Sequence, residues 1–585
     1  MWTKVPSAKE IAIDDVSYET VSCGVLVVGS GGAGLRAAIE SFDKGADTLI
    51  VSKILMGKAH TVMAEGGIAA ALGNVDPADS WKVHFSDTIV EGQNLSNWRM
   101  AEIYSKEVIE RVHELEKYGA LFDRTQDGKI MQRPFGAHTY RRLCYIGDRT
   151  GLELIRTLED QVLNRDIPFI DEVEITRIFK DPADGRVSGA LGIRISTGGL
   201  VLFRCRAVVL ATGGCGRVYQ VTSNSYDCTG DGLALAYRAG AELLDMEMLQ
   251  FHPTGMIYPE GVRGLLVTEA VRGEGGILTN VRGERFMERY DPKRKELSAR
   301  DVVARAIYTE VAQGRGTANG AVYLDITHRG AEYIRKKLPS MYSQFLEFAG
   351  VDITKEKMEV APTLHYQMGG IRVQPETGGT RVVGLYAAGE AACGLHGANR
   401  LGGNSLGDIL VFGRRAGLAA AEYAKSVGPG AVPESEIRDE TERILSPFGV
   451  KDGKNPFALK EQVAAAMWKH VGIIRSQGEL EQGLAEILAI GREAKSAKAV
   501  GSRAYNQSWL NTLQLWNMVL DCEAIIRSAM ERKESRGAHT RSDFPEKDDG
   551  RWLVNIITRE EGGIMSRELV PVQKPPPELE ALIEE

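Results

Sequence analysis

The side chains best suited to chemistry lie in short glycine-rich segments. These are Phe251-His252-Pro253-Thr254-Gly255, Thr268-Glu269-Ala270-Val271-Arg272-Gly273, Ala299-Arg300-Asp301, Leu364-His365-Tyr366-Gln367-Met368-Gly369-Gly370, and Gly397-Ala398-Asn399-Arg400 running on to Ser405-Leu406. Singly, each has an ordinary explanation: an arginine is most often solvated or salt-bridged, and a histidine is most often structural. Here neither a helical stripe nor a charge run accounts for them, and function in irregular loops is the better reading. Arginine is the side chain that best matches a carboxylate. By residue type alone, a proton-transfer role would fall to a histidine.

A second chemistry is written near the start of the chain. Cys23 to Val28 is a short apolar run, and Gly29-Ser30-Gly31-Gly32-Ala33-Gly34 follows it. LRAAIESFDKG then has helical spacing ending on Gly45, and Asp47 to Val51 reads as a second strand. Strand, glycine turn, helix and strand make a βαβ unit, with Gly29, Gly31 and Gly34 placed where a dinucleotide pyrophosphate meets a helix N-terminus. The acidic ribose ligand usual after the second strand is replaced by Ser52-Lys53, which weakens an NAD reading.

Two more strand-to-glycine junctions follow, Arg206 to Leu210 before Ala211-Thr212-Gly213-Gly214 and Gly384 to Ala388 before Gly389-Glu390. They imply one cofactor domain assembled from discontinuous segments, with a second domain inserted. Beyond about residue 430, EQVAAAMWKHVGII, ELEQGLAEILAI and LQLWNMVLDCEAIIRSAMERKE have the period of helices. The closing PVQKPPPELEALIEE reads as a surface tail or packing arm.

Composition limits what these sites can serve. The 585 residues, 43% hydrophobic and 26% charged, imply about two to four domains. With 71 basic and 79 acidic residues the net charge is −8. That argues against nucleic acid as the main partner and leaves room for small anions in a locally basic pocket. The seven cysteines never stand as C-x-x-C, so no zinc, iron–sulfur or c-type haem signature is present and no metal is expected. Residues 1–20 lack an apolar signal core, and no uncharged apolar run of about 18 residues exists, so neither a secretory signal nor a membrane span is expected.

The motifs GSGGAG, SKILMGKAHTVMAEGGIAAALGN, QRPFGAHT, DRTG, ATGGCGRVYQ, TGDG, DMEMLQFHPTG, TEAVRGEGG, GERFMERY, ARDVVARA, PTLHYQMGG, AAGEAACGLHGANRLGGNSL and ESRGAHTRSDFPEKDD occur in this order. Over residues 23 to 550 the chain thereby resembles the flavoprotein subunit of succinate dehydrogenase and fumarate reductase. The resemblance implies an α/β fold: a discontinuous Rossmann-like FAD-binding domain (1–250 and 366–430) with an inserted α+β capping domain (251–365). A helical domain (431–535) and a C-terminal tail domain (536–585) would follow.

The resemblance also implies roles. His60 would bond covalently to the FAD 8α-methyl group. Gly29, Gly31 and Gly34 would admit the pyrophosphate, and Ser52, Lys53 and Gly67 would lie along the adenosine and flavin edge. Asp231 and Glu390 would hold ribose or ribityl hydroxyls, with Ser405 and Leu406 at the isoalloxazine. Arg400 and His365 would clamp one carboxylate of succinate or fumarate, with His252 and Thr268 at the other and Phe135 on the pocket wall. Arg300 would exchange the proton, relayed by Glu269 and Arg272. A free arginine is a poor base, so that role requires neighbouring cations and burial.

L-aspartate oxidase shares this outline and stands as the alternative. Such oxidases lack the histidine before AEGGIAA and carry a glutamate near Phe135 that helps bind the amine. This chain has His60, and Arg133-Pro134-Phe135-Gly136 offers no glutamate. Partners implied are membrane anchors reaching quinone together with an iron–sulfur subunit, the chain being peripheral on the cytoplasmic side of the cell membrane. A thiol-oxidising partner or a haem domain is the other source or sink of electrons. The direction of the reaction stays open.

Overall fold

The computed structural model describes residues 9–13 and 16–584. Val25–Val28 is buried on both faces, as expected of a β-branched run at the centre of a parallel sheet. The order across that sheet is Leu385–Ala387, Ala207–Leu210, Val25–Val28, Thr48–Val51 and Phe169–Ile170, with every neighbour parallel. The three strand-to-glycine junctions therefore end side by side. Helix Gly32–Asp43 and the long helix Asn404–Ser426 pack together over the sheet. A second, mostly antiparallel sheet runs Lys9–Ile13, Val16–Ser22, Gly199–Arg204, Val187–Arg194 and Val173–Lys180.

The inserted segment forms its own antiparallel sheet, ordered Leu249–Met256, Met358–Gln367, Val322–Asp325 and Ile277–Thr279. Its separate core includes Leu278, Phe286, Ile307, Leu324 and Met358. One of the buried carboxylates that tie it back to the cofactor side is Asp148. Asp148 accepts the backbone N–H of Ser340 at 2.7 Å, that of Met341 at 3.3 Å and the Ser340 hydroxyl at 2.7 Å, at the start of helix Pro339–Ala349.

The helical region contains Glu434–Leu445, Pro456–His470, Gln477–Ala494 and Gln507–Glu531. The C-terminal stretch is joined more closely than a tail. The hairpin Val554–Glu561 and Ile564–Pro571 extends a small sheet through Leu243–Leu244. Arg532 Nε reaches Glu247 at 2.6 Å, locking the end of the long helix to the same region. Leu579 of the last helix, Pro577–Glu584, is deeply buried, and that helix packs on Trp81–Glu91. No helix among the described residues is long and apolar enough to cross a membrane.

Candidate active site

A cleft runs along the carboxyl ends of the central strands, where open α/β sheets bind ligands. Gly29, Gly31, Ser52, Lys53 and Asp231 line it, as do His60, His365, Glu390, Ser405 and Leu406. Gly34 and Gly67 do not. Gly34 acts from beneath: a Cβ there would stand 1.9 Å from the Gly29 carbonyl oxygen, so only glycine lets helix and strand come this close. Gly29 itself has φ +113°, and a Cβ would meet the Ala211 oxygen at 2.3 Å. Gly67 turns the chain at φ +129° beside Cys144.

The residues present fit a dinucleotide cofactor. Gly31 caps helix Gly32–Asp43 without a side-chain hydrogen bond, leaving an N-terminus with its partial positive charge facing the cleft. The Thr212 hydroxyl on the wall is buried without a partner. Glu390 accepts one hydrogen bond, from the Gln367 N–H at 3.0 Å, and burial pushes its carboxyl up to about 7. Its other oxygen is available to a hydroxyl.

In place of the usual acidic ribose ligand, Ser52 pairs with Ser30 at 2.9 Å. Despite burial, the Asp231 charge raises Lys53, whose ammonium donates to Asp231 at 2.6 Å and to Thr229 at 2.7 Å. Asn517 occupies the second Asp231 oxygen at 2.7 Å. Asp231 thus anchors Lys53 and the long helix Gln507–Glu531, with both oxygens engaged. His60 stands in a short helical turn, His60–Met63. Burial lowers its pKa, and Nδ1 accepts the Ser225 N–H at 3.3 Å. Neutral and acceptor at Nδ1, the ring carries its proton on Nε2.

The remaining residues gather just behind the cleft wall. Pairing of Leu249–Met256 with Met358–Gln367 sets His252 edge-on to His365, centroids 5.2 Å apart. Burial, then nearby arginine charge, takes both imidazoles well below the usual histidine range, so they are neutral donors or acceptors. Thr268, next to Glu269 in sequence, is buried, and its hydroxyl accepts the Ala270 N–H at 3.3 Å. Arg400 lies 4.2 Å over the Tyr366 ring and donates to Ser405 at 3.0 Å, while its Nε and a second terminal nitrogen are buried without partners.

Arg300 opens helix Arg300–Glu310 and donates through Nε to Glu269 at 2.8 Å and through one terminal nitrogen to Gln250 at 3.1 Å. Arg272 stands 3.6 Å from the same carboxylate. Burial works against the Glu269 charge, yet Arg300 and Arg272 outweigh it and hold that carboxyl at about 2. Glu269 also accepts the Gly136 N–H at 2.7 Å, and the adjoining Phe135 ring lies against Gly66, Gly402 and, at 5.9 Å, the Arg300 guanidinium. Three guanidiniums against one carboxylate leave a surplus of two positive charges, the complement of a dianion.

The motifs do not single out Gln250, Asn399, Tyr366 or Glu174 for roles here. Gln250 stands two residues before His252 and Tyr366 directly after His365 in these motifs, so nearness in sequence is a usable signal. Glu174, inside strand Val173–Lys180 and lifted to about 7 by burial and by the Asp231 charge, has no local signature. No group of three or more metal-ligating side chains is found among the described residues.

Comparison with known proteins agrees with this geometry. The family described as FAD binding domain matches residues 24–406, and that described as Fumarate reductase flavoprotein C-term matches 460–578. One chain of the fumarate reductase (CoM/CoB) of Methanothermobacter marburgensis is 51% identical over 530 residues, 90% of this chain and 95% of that protein. The succinate dehydrogenase flavoprotein subunit of Rickettsia bellii is 41% identical, covering 91% and 92%.

Among solved structures, Mycobacterium smegmatis Sdh1 in complex with UQ1 superposes with a TM-score of 0.86 at 49% identity, covering 95% of each chain. E. coli quinol fumarate reductase FrdA, as a variant, gives a TM-score of 0.90 at 35% identity, covering 95% and 98%. Built on this fold and this site, the chain is an FAD-dependent oxidoreductase and belongs to the family of flavoprotein subunits of succinate dehydrogenase and fumarate reductase.

Proposed function

We propose that the chain interconverts succinate and fumarate, with Arg300 exchanging the proton and His60 holding FAD covalently. The single observation that carries this reading is the Arg300 environment. Its Nε and one terminal nitrogen are fixed by Glu269 and Gln250, while the other terminal nitrogen has no hydrogen bond and lies beside Gly402 and the Phe135 ring. A proton delivered from there leaves an arginine that Glu269 and Arg272 can recharge. Bound FAD would supply the hydride acceptor or donor. Arg400 with His365, and His252 with Thr268, orient the two carboxylates, and Phe135 with the glycine loops keeps water away.

Electrons would pass to an iron–sulfur partner and, through membrane anchors, to quinone, with this protein peripheral on the cytoplasmic face. The CoM/CoB in the name of the Methanothermobacter marburgensis relative supports a second reading, a thiol-oxidising partner in place of the quinone-linked one. Voltammetry of the purified complex with succinate and then fumarate tests the reaction. Catalytic current with both is expected; current with neither, or oxidation of L-aspartate instead, overturns the reading. Aspartate oxidation would revive the L-aspartate oxidase alternative.

The clamp predicts a pH limit. Burial, then the Arg300 charge, brings Arg400 down to about 9 in the free enzyme. Below that pH the guanidinium is charged and grips a carboxylate; above it the grip weakens. A bound dianion raises the value again. Accordingly kcat/KM for succinate, which reports the free enzyme, is expected to fall above about pH 9 while kcat holds. A flat kcat/KM to pH 10 sinks the assignment.

A further inference from the structure

Behind Arg300 runs a chain of hydrogen bonds with no free choices. Gln250 Oε1 accepts from Arg300 at 3.1 Å, and Gln250 Nε2 donates to Asn399 Oδ1 at 2.8 Å and to the Arg400 carbonyl at 2.9 Å. Asn399 Nδ2 then donates to Glu91 Oε1 at 2.7 Å and to Asp301 Oδ1 at 2.9 Å. Gln250 and Asn399 are essentially inaccessible, and Glu91 is buried on helix Trp81–Glu91 of the cofactor-binding part.

We propose that Glu91, through Asn399 and Gln250, is a positioning residue that sets the orientation of Arg300 for proton exchange. The reasoning is directional. An amide has a donor end and an acceptor end, and each buried group must find a partner. Two carboxyl oxygens facing Asn399 fix its NH₂ toward them and its oxygen toward Gln250. That oxygen, with the Arg400 carbonyl, fixes the Gln250 NH₂, and only its oxygen is left for Arg300. Turning Gln250 over would set donor against guanidinium and acceptor against carbonyl, and turning Asn399 over would set its oxygen against two carboxyl oxygens and its NH₂ against that of Gln250, costly where water cannot repair it.

Asp301, on the helix that carries Arg300, gives Oδ1 to Asn399 and Oδ2 to Arg305 at 2.8 Å, and Glu91 is the acceptor contributed from outside that helix. Burial, then the Asp301 charge, raises the Glu91 carboxyl well above its ordinary range. A neutral acid still offers its carbonyl oxygen to Asn399, and a glutamine would offer the same. The inference rests on Arg300 as the proton group, and the test separates the two.

In the intact complex, Glu91→Leu removes the acceptor and Glu91→Gln keeps it. Glu91→Leu is expected to lower kcat about ten- to a hundredfold, the worth of a misplaced charge-assisted hydrogen bond. KM for succinate should stay within about twofold, and malonate binding, read from the flavin spectrum, should persist. The solvent deuterium isotope effect on kcat should rise, because proton exchange becomes slower relative to other steps. Glu91→Gln should restore both readouts.

If Glu91→Leu lowers only the unfolding temperature, with kcat and isotope effect unchanged, Glu91 is structural and the inference falls. It falls equally if Glu91→Gln is as damaging as Glu91→Leu. Should Glu91→Leu fail to fold, Gln250→Met asks the same of the next link, and unchanged kcat there overturns the inference. If instead Arg300→Lys turns over normally, the proton assignment is what has failed.

Discussion

Arg300→Lys is expected to bind its flavin and its dicarboxylate and to lose nearly all turnover. Lysine keeps the positive charge, so the Glu269 pair and the attraction for a dianion survive. What it cannot keep is the fork: Nε on Glu269, one terminal nitrogen on Gln250 and the other left for substrate. An ammonium on a flexible stem has no fixed nitrogen to present. Removing a positioned acid–base group costs roughly a hundredfold to ten-thousandfold. Steady-state rates in both directions, beside flavin content from the visible spectrum, check this. Turnover within a few fold of the wild type would dismiss Arg300 as the proton group.

The second large effect concerns His60, and it is all or none. With Nδ1 accepting from the Ser225 backbone, Nε2 is the nitrogen left to carry the proposed tether. The denatured wild-type chain should exceed its sequence mass by one FAD. His60→Ser should show the bare polypeptide mass, with flavin bound in the native protein but released by acid. Succinate oxidation should suffer more than fumarate reduction, since an untethered flavin has a lower potential. A covalent adduct surviving in His60→Ser would exclude this attachment.

Much of this fold is legible in the chain because its signals are local. The apolar runs ending on glycine at 28–29, 210–213 and 387–389 fall side by side in one sheet, and the periodic stretches beyond 430 are helices, the first of them ending at His470 and leaving its closing VGII outside. Site residues such as His252 and His365 are legible only through motif order, because the strand pairing that joins them spans more than a hundred residues of chain. In the Glu91–Asn399–Gln250 link, Gln250 and Asn399 lie inside motifs but Glu91 does not, and nothing local joins the three distant segments. The hairpin Val554–Glu561 and Ile564–Pro571 is also faint in sequence, its second strand being largely exposed and its inward apolar residues few. Periodicity needs a buried face to register.

The strand order has a consequence for how the molecule is made. Val25–Val28 leaves the ribosome early, but its neighbour Ala207–Leu210 and the next strand, Leu385–Ala387, arrive far later. At about 5–20 residues per second the interval to the last strand is on the order of tens of seconds. During it, the strand has Thr48–Val51 on one edge and helix Gly32–Asp43 over it, but its other edge stays open until Ala207–Leu210 arrives and the second covering helix, Asn404–Ser426, is not yet synthesised. Cofactor loading must therefore come late in biogenesis, and the nascent protein is a natural client for chaperones until its final third emerges.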